Sequence, residues 1–212
     1  MKLAGADRQG RVAEMLSRRL GSVVVVAEAV HRRHNTSAIL RSCEAFGVHT
    51  VHLITGKFQV SRGAARGAER WLELHHWTSV ADVVTALHAD GFKVYAADVG
   101  RAAESPDSLP VDGPVALLFG NELHGVSDEA RLLCDGFVTV PMFGLMESLN
   151  VSVAAACVIQ RVAGRRRTLV GGGDLSAERQ AAFMAAWIEA QLSAEAGIRA
   201  RATRRAQASE KA

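Results

Sequence analysis

The 212-residue chain contains only three cysteines, four prolines and one tyrosine, and aromatic residues make up 5% of it. Cys43, Cys134 and Cys157 lie far apart, with no CxxC pair and no Cys/His cluster at zinc spacing. That excludes a disulfide scaffold and a structural zinc site, and predicts buried small hydrophobes in a reducing compartment. No apolar run approaches the ~20 residues of a membrane span, and the N-terminus lacks a basic segment followed by an apolar run of ~7–15 residues. Neither an anchor nor a secretory leader is expected. "ITGK" has neither the first Gly nor the final Ser/Thr of a phosphate-binding loop, and "GGG" at 171–173 follows a linker rather than a strand, so it is not a dinucleotide fingerprint. No G-x-S-x-G elbow occurs. His31 with His34, and His75 with His76, have no matching carboxylates or cysteines, so no metal is expected.

Hydrophobic residues make up 49% of the chain and charged residues 22%, ordinary values for a soluble globular protein. The length suits one domain with a full core plus extensions. The net charge of +3 hides an uneven distribution. Segments 1–20, 161–167 and 197–212 together hold fourteen basic and three acidic residues, which leaves eleven basic against nineteen acidic elsewhere. Basic ends on an acidic body suggest a polyanion partner, most simply nucleic acid; Arg-rich solvated helix faces are the plainer alternative.

Strand-like and helix-like stretches alternate along the chain. "SVVVVAEAV" (22–30) is a continuous β-branched run, as in a strand buried on both faces. Further strands are expected at 49–55, 92–99, 114–120 and 137–142. Helices are expected at 5–20, at 35–47 (capped by Asn35 or Thr36 and ended by Gly47), at 79–91, at 127–136, at 148–163 and at 176–206. Residues 56–70 read as a mobile basic loop and 164–175 as a Gly/Arg linker. In the last helix Phe183, Met184, Trp187, Ile188 and Leu192 form one apolar stripe. The alternation predicts an α/β domain with a mostly parallel sheet, whose ligands sit outside the carboxyl ends of the strands.

Polar residues gather at those ends. Gly120 and Gly144 let backbone approach a ligand closely. Ser148 and Asn150 stand near a helix N-terminus, where free N–H groups favour anions. Arg41 can grip a phosphate bidentately, and Glu122 sits in a tight loop behind Gly120. Singly, these residues also read as caps, turn glycines and a surface arginine. Together they describe a nucleotide-like ligand beside a phosphate-bearing substrate.

"HNTSAILRSCEAFGV" (34–48), "LLFGNELHGVS" (117–127) and "VPMFGLMESLNVSVAAA" (140–156) resemble the three motifs of the SpoU branch of the SPOUT RNA methyltransferases, in that family's order and spacing. The likeness runs from about residue 20 to 165. The short terminal helices, without a separate RNA-binding domain, resemble the tRNA (guanosine-18-2′-O)-methyltransferases of the TrmH type. The resemblance implies a mostly parallel sheet with a deep C-terminal trefoil knot, an exception to the rarity of knots. It also implies a cytoplasmic homodimer that binds S-adenosylmethionine and tRNA, with neither membrane nor DNA as partner. Residues 1–20 would be a basic N-terminal helix, 21–165 the methyltransferase domain, and 166–212 a linker and basic C-terminal helix.

Carried over by position, the cofactor would touch Ala97, Phe119, Gly120, Val140, Met142 and Leu149. The catalytic set would be Asn35, Arg41, Glu122, Ser148 and Asn150, and the small residues of "VSVAAAC" would let the knot and a dimer partner pack closely. The implied reaction moves a methyl group from a sulfonium to a ribose 2′-hydroxyl, which needs orientation and the loss of one proton. The family proposal makes the arginine at 41 the base. A guanidinium stays protonated in proteins, so holding a phosphate and stabilising the alkoxide is the easier role, with water or phosphate taking the proton. Glu147 and His124 depart from the residues common in relatives and bear on substrate identity. A ribosomal RNA or another tRNA position is an alternative target, and a non-catalytic RNA-binding protein on the same fold is an alternative of another class.

Overall fold

The computed structural model describes residues 5–30, 32–54, 67–99 and 103–209. The expected mobile loop falls largely in 55–66, and His31 is a single position; both lie outside the described residues. Helix α1 spans Gly5–Ser17, β1 Leu20–Glu28, α2 Arg33–Phe46, β2 Val48–Ile54, β3 Glu73–Trp77, α3 Val80–Ala89 and β4 Lys93–Ala97. Then follow β5 Val115–Phe119, α4 Asp128–Leu133, β6 Gly136–Val138, α5 Val151–Val170 and α6 Ala177–Ser209. The six strands form one sheet in the order β3-β2-β1-β5-β4-β6, and every strand pairing is parallel.

The alternation along β1 explains the layers. Val23, Val25 and Ala27 pack on one face of the sheet with Ile39, Leu40 and Cys43 of α2 and with Ala155, Val158, Ile159 and Val162 of α5. Val24 and Val26 pack on the other face with Val83, Val84 and Leu87 of α3 and with Ala130 of α4. A strand buried on both sides has no room for polar alternation, so its sequence is an unbroken β-branched run. The chain leaves β1 in one direction through β2 and β3, then crosses to the other side to build β4, β5 between β4 and β1, and last β6 beyond β4. The crevice between the ends of β1 and β5 is the switch point at which such sheets bind ligands.

Several expectations are corrected. Strand β3, "ELHHW", has no counterpart among the expected strands, because two histidines and a glutamate dilute the apolar signal. It forms by pairing with the open edge of β2 in register Thr50↔Glu73 to Ile54↔Trp77, and Trp77 Nε1 donates to His52 Nδ1 at 2.9 Å. Residues 67–71, the end of the expected loop, carry the short 3₁₀ turn Ala68–Trp71. Helix α2 begins at Arg33 without a side-chain cap, so neither Asn35 nor Thr36 caps it; both are buried inside its first turn, and Thr36 Oγ1 donates to the Val30 carbonyl. Gly47 does end it, at φ 80°. Strand β6 stops at Val138, and 139–150 has no regular helix or strand.

Helix α5 starts at Val151 and runs through Val170, so the expected linker at 164–175 is helical over half its length and ends on Gly171 at φ 74°. Its arginines are largely committed inside the fold rather than presented as a basic patch. Arg165 Nη1 donates to the carbonyls of Pro106 and Leu109, and Arg166 to Ser22 Oγ and to the carbonyls of Val111 and Asp112. Arg167 donates to the carbonyls of Arg18 and Phe46, and Arg161 pairs with Asp107. Burial pushes the thiols of Cys43 and Cys134 up to about 12, whereas Cys157 is exposed on α5, against expectation.

The described residues between 18 and 174 form one compact unit, and those of 5–17 with 175–209 form another. In the second, Arg8 of α1 lies over the Trp187 ring of α6 at 5.4 Å, a cation–π contact. Trp187 is buried, but Leu192 at the end of the expected stripe is 63% exposed. Among the described residues no helix is long and apolar enough to cross a membrane, and no group of three His, Cys, Asp or Glu residues could hold a metal ion.

Candidate active site

The chain leaves β5 through Phe119 and Gly120 into a closed turn. Asn121 N–H donates to the Gly125 carbonyl at 2.8 Å, and Gly125 N–H returns to the Asn121 carbonyl at 2.9 Å. The Asn121 side chain holds the turn from inside. Its Oδ1 accepts from the N–H groups of Leu123 and His124, and its Nδ2 donates to the Ala29 carbonyl at 2.8 Å. Ala29 itself has φ 49°, an unusual backbone for a residue with a Cβ, at the end of β1. A Cβ on Gly120 would stand 2.5 Å from the Val126 nitrogen and closer still to the Gly125 carbonyl. Gly120 is therefore required by its own turn, whatever the ligand. Gly144 has open space around its Cβ direction.

The turn aims Glu122 at the start of α2. Glu122 Oε1 accepts from Asn35 Nδ2 at 3.0 Å and from Arg32 N–H at 3.1 Å. Asn35 Oδ1 accepts from Asn150 Nδ2 at 3.2 Å. Asn150 is the N-cap of α5, and its Oδ1 accepts from Ser152 N–H at 2.9 Å and Ser152 Oγ at 2.6 Å. The cap fixes which way the Asn150 amide points, and through it the Asn35 amide, so one polar chain runs from a helix terminus to a carboxylate. Asn35 is 1% exposed. A side-chain amide buried to that degree is tolerated because both of its ends are bonded.

This chain forms one side of a cavity of about 600 Å³. Asn35, Glu122, Ser148 and Asn150 line it, as do Ala97, Phe119, Gly120, Val140, Met142 and Leu149. Ten of the eleven residues carried over by position thus meet around one space. Arg41 does not line it. Arg41 is exposed on α2, six residues past Asn35 and so turned roughly 240° around the helix from it. Asn121, Arg32, Asp98 and Arg131 also line the cavity and are absent from the carried-over set. The glycine pair in "GNELHG" marks the Asn121 turn, but nothing local marks Asp98 and Arg131, which meet only because β4 lies beside β5.

The chain matches the SpoU rRNA Methylase family over residues 22–160. It is 37% identical over 186 residues to the tRNA (guanosine(18)-2′-O)-methyltransferase of Thermus thermophilus, covering 85% of this chain and 95% of that one. The enzyme of the same name from Escherichia coli is 33% identical over 162 residues, covering 76% and 71%. Among solved structures, the A. aeolicus TrmH/SpoU tRNA modifying enzyme superposes with a TM-score of 0.78 at 28% identity, covering 88% of this chain and 97% of that one.

Proposed function

The chain belongs to the SpoU rRNA methylase family, and on that premise we propose that it methylates a ribose 2′-hydroxyl of RNA with S-adenosylmethionine, at guanosine 18 of the tRNA D-loop. The observation that carries this reading is the polar chain Glu122–Asn35–Asn150, centred on the buried Asn35, on the wall of a cavity at the ends of β1 and β5. The relatives at 33–37% identity bear the name of that activity, which is what points to tRNA as substrate.

The cavity suits the cofactor. Its volume falls in the ordinary range for small-molecule sites, and Phe119, Val140, Met142 and Leu149 supply apolar surface for a base while backbone at Ala97 and Gly120 supplies polar atoms. When bound, S-adenosylmethionine supplies a methyl group on a sulfonium, already activated for transfer. The protein then has to orient the acceptor and let its proton leave. Glu122 holds Asn35 and the backbone of Arg32, and Asn150 holds Asn35 from the other side, so the floor on which the ribose rests is rigid before substrate arrives. Ser148 offers a hydroxyl to the same space. Arg41 grips the phosphate next to the target ribose and stabilises the developing alkoxide, while water or phosphate takes the proton.

Arg41 stands outside the cavity and joins the other four once RNA and a second copy of the chain are in place. A homodimer accords with the exposed side chains of Phe143, Leu145 and Met146 and with the exposed stripe of Val153 and Cys157 on α5. The same reading includes a trefoil knot in the C-terminal part of the sheet and a cytoplasmic setting. Residues 21–165 carry the chemistry, and the basic segments 1–20 and 197–212 contribute to RNA binding.

The test is mass spectrometry of nuclease-digested, unmodified tRNA transcript after incubation with protein and S-adenosylmethionine. A 2′-O-methylguanosine in the D-loop is expected. Arg41→Ala should reduce it by at least ~10²-fold with an unchanged melting curve. Wild-type turnover in that variant would remove Arg41 from the catalytic set. Methylation of ribosomal RNA but not tRNA would keep the chemistry and overturn the substrate.

A further inference from the structure

The polar chain leaves one charged pair on the cavity wall unexplained. Arg131 of α4 donates from Nε to Asp98 Oδ2 at 2.8 Å and from Nη1 to Asp128 Oδ1 at 2.9 Å. The two carboxylates differ in kind. Asp98, directly after β4, has a side chain 10% exposed, whereas that of Asp128 is 93% exposed and screened by water. The guanidinium is therefore anchored by Asp98 in a fixed plane. Both anchoring bonds raise its pKa further. The remaining nitrogen, Nη2, lies at the Gly125 turn, 3.8 Å from the position a Gly125 Cβ would take. Asp98, Gly125 and Arg131 all line the cavity.

Strand order separates this pair from the polar chain. β5 lies between β1 and β4. Asn35 meets Glu122 on the β1 side, and Asp98 brings Arg131 in from the β4 side. We propose that Arg131, held by Asp98, binds the carboxylate at the amino-acid end of S-adenosylmethionine through Nη2. The inference rests on the cofactor reading above and deepens it. The cofactor has a single anionic group, and a guanidinium with its plane already set loses little freedom in binding it. Asp98 is also the chain neighbour of Ala97, which that reading gives to the cofactor. An RNA phosphate is the other anion that Arg131 could meet, and the experiment separates the two.

The measurement is calorimetric binding of S-adenosylhomocysteine and of 5′-methylthioadenosine, which lacks the carboxylate and the ammonium, to the full chain and its variants. Arg131→Gln should weaken S-adenosylhomocysteine binding roughly tenfold and leave 5′-methylthioadenosine unchanged. Arg131→Lys should recover part of the loss, and Asp98→Asn should act in the same direction as Arg131→Gln but less. Melting curves run alongside report whether each variant folds. Equal weakening of both ligands would make Arg131 a structural residue and overturn the proposal. So would unchanged S-adenosylhomocysteine binding with weakened tRNA binding, which would make it a phosphate contact. A wild-type chain that binds neither ligand would overturn the cofactor reading itself, and this inference with it.

Discussion

At the scale of single residues, several polar side chains carry two structural duties at once. Asn150 caps α5 with its oxygen and holds Asn35 with its nitrogen; Asn121 closes its own turn with its oxygen and ties that turn to the end of β1 with its nitrogen. Such residues couple local geometry to the site, and Gly120 makes the same coupling possible by having no Cβ. Gly120→Ala is expected to lower stability by about 1–3 kcal/mol, the cost of overpacking a site whose neighbours are backbone atoms that cannot swing away. Urea unfolding checks it, and a loss of affinity for S-adenosylmethionine should accompany the shift. Asp135 gives a prediction in pH. Burial alone would raise its carboxyl, but hydrogen bonds from Lys93 Nζ at 2.8 Å and Val94 N–H at 2.9 Å, with His88 Nε2 at 2.8 Å, outweigh it and hold the pKa below the usual carboxylate value. A depressed folded-state pKa stabilises at pH values above ~3.9, and that contribution is lost as pH falls through the folded value. Asp135→Asn should therefore melt below wild type at pH 7, and the gap should close below about pH 4.

At the scale of elements, α5 shows how composition misleads. Four arginines and two glycines between 161 and 171 look like an RNA-binding linker. In the fold, Arg165, Arg166 and Arg167 donate to carbonyls of the segment before β5 and of the end of α2. A helix with arginine at successive positions can serve carbonyls in several directions at once, and no local pattern announces that use. Arg166→Met keeps the side-chain bulk but orphans the carbonyls of Val111 and Asp112. It is expected to cost about 1–3 kcal/mol, read by urea denaturation, with tRNA affinity unchanged. If tRNA affinity fell while stability held, α5 would belong to the RNA surface after all. The edge strand β3 is the converse case. Its residues have little strand character, and β2 supplies the pairing edge that makes them a strand.

At the scale of the whole molecule, the proposal includes a second copy of the chain. The exposed apolar side chains of Phe143 (99%), Leu145 (102%) and Met146 (77%) adjoin the cavity-lining residues Met142 and Ser148 in sequence. Such exposure in a segment that also forms the site is expected to be covered by a second copy. Sedimentation equilibrium should give twice the chain mass. Met146→Asp, which places a charge in that cover, should shift the mass toward the single chain. A wild-type protein that sediments as a single chain at micromolar concentration would remove the dimer from the proposal.

Much of this was legible in the sequence for a physical reason. Strands buried on both faces must be continuous apolar runs, helices must be amphipathic, and turns at a functional crevice need glycine and small polar residues, so the α/β class and the polar loops could be located from residues alone. Motifs at 34–48, 117–127 and 140–156 located most of the carried-over residues that line the cavity, because each motif sits at the end of a strand or the start of a helix whose position the pattern already sets. Only the tertiary structure decided the rest. Strand order brought β4 beside β5 and so brought Asp98 to Arg131. The mutual orientation of three loops turned Asn35, Glu122 and Asn150 into one hydrogen-bonded chain, and helical rotation carried Arg41 away from the space its motif neighbours share. Those outcomes depend on contacts between residues 33 to 115 positions apart, and no local window of sequence contains both partners of such a contact.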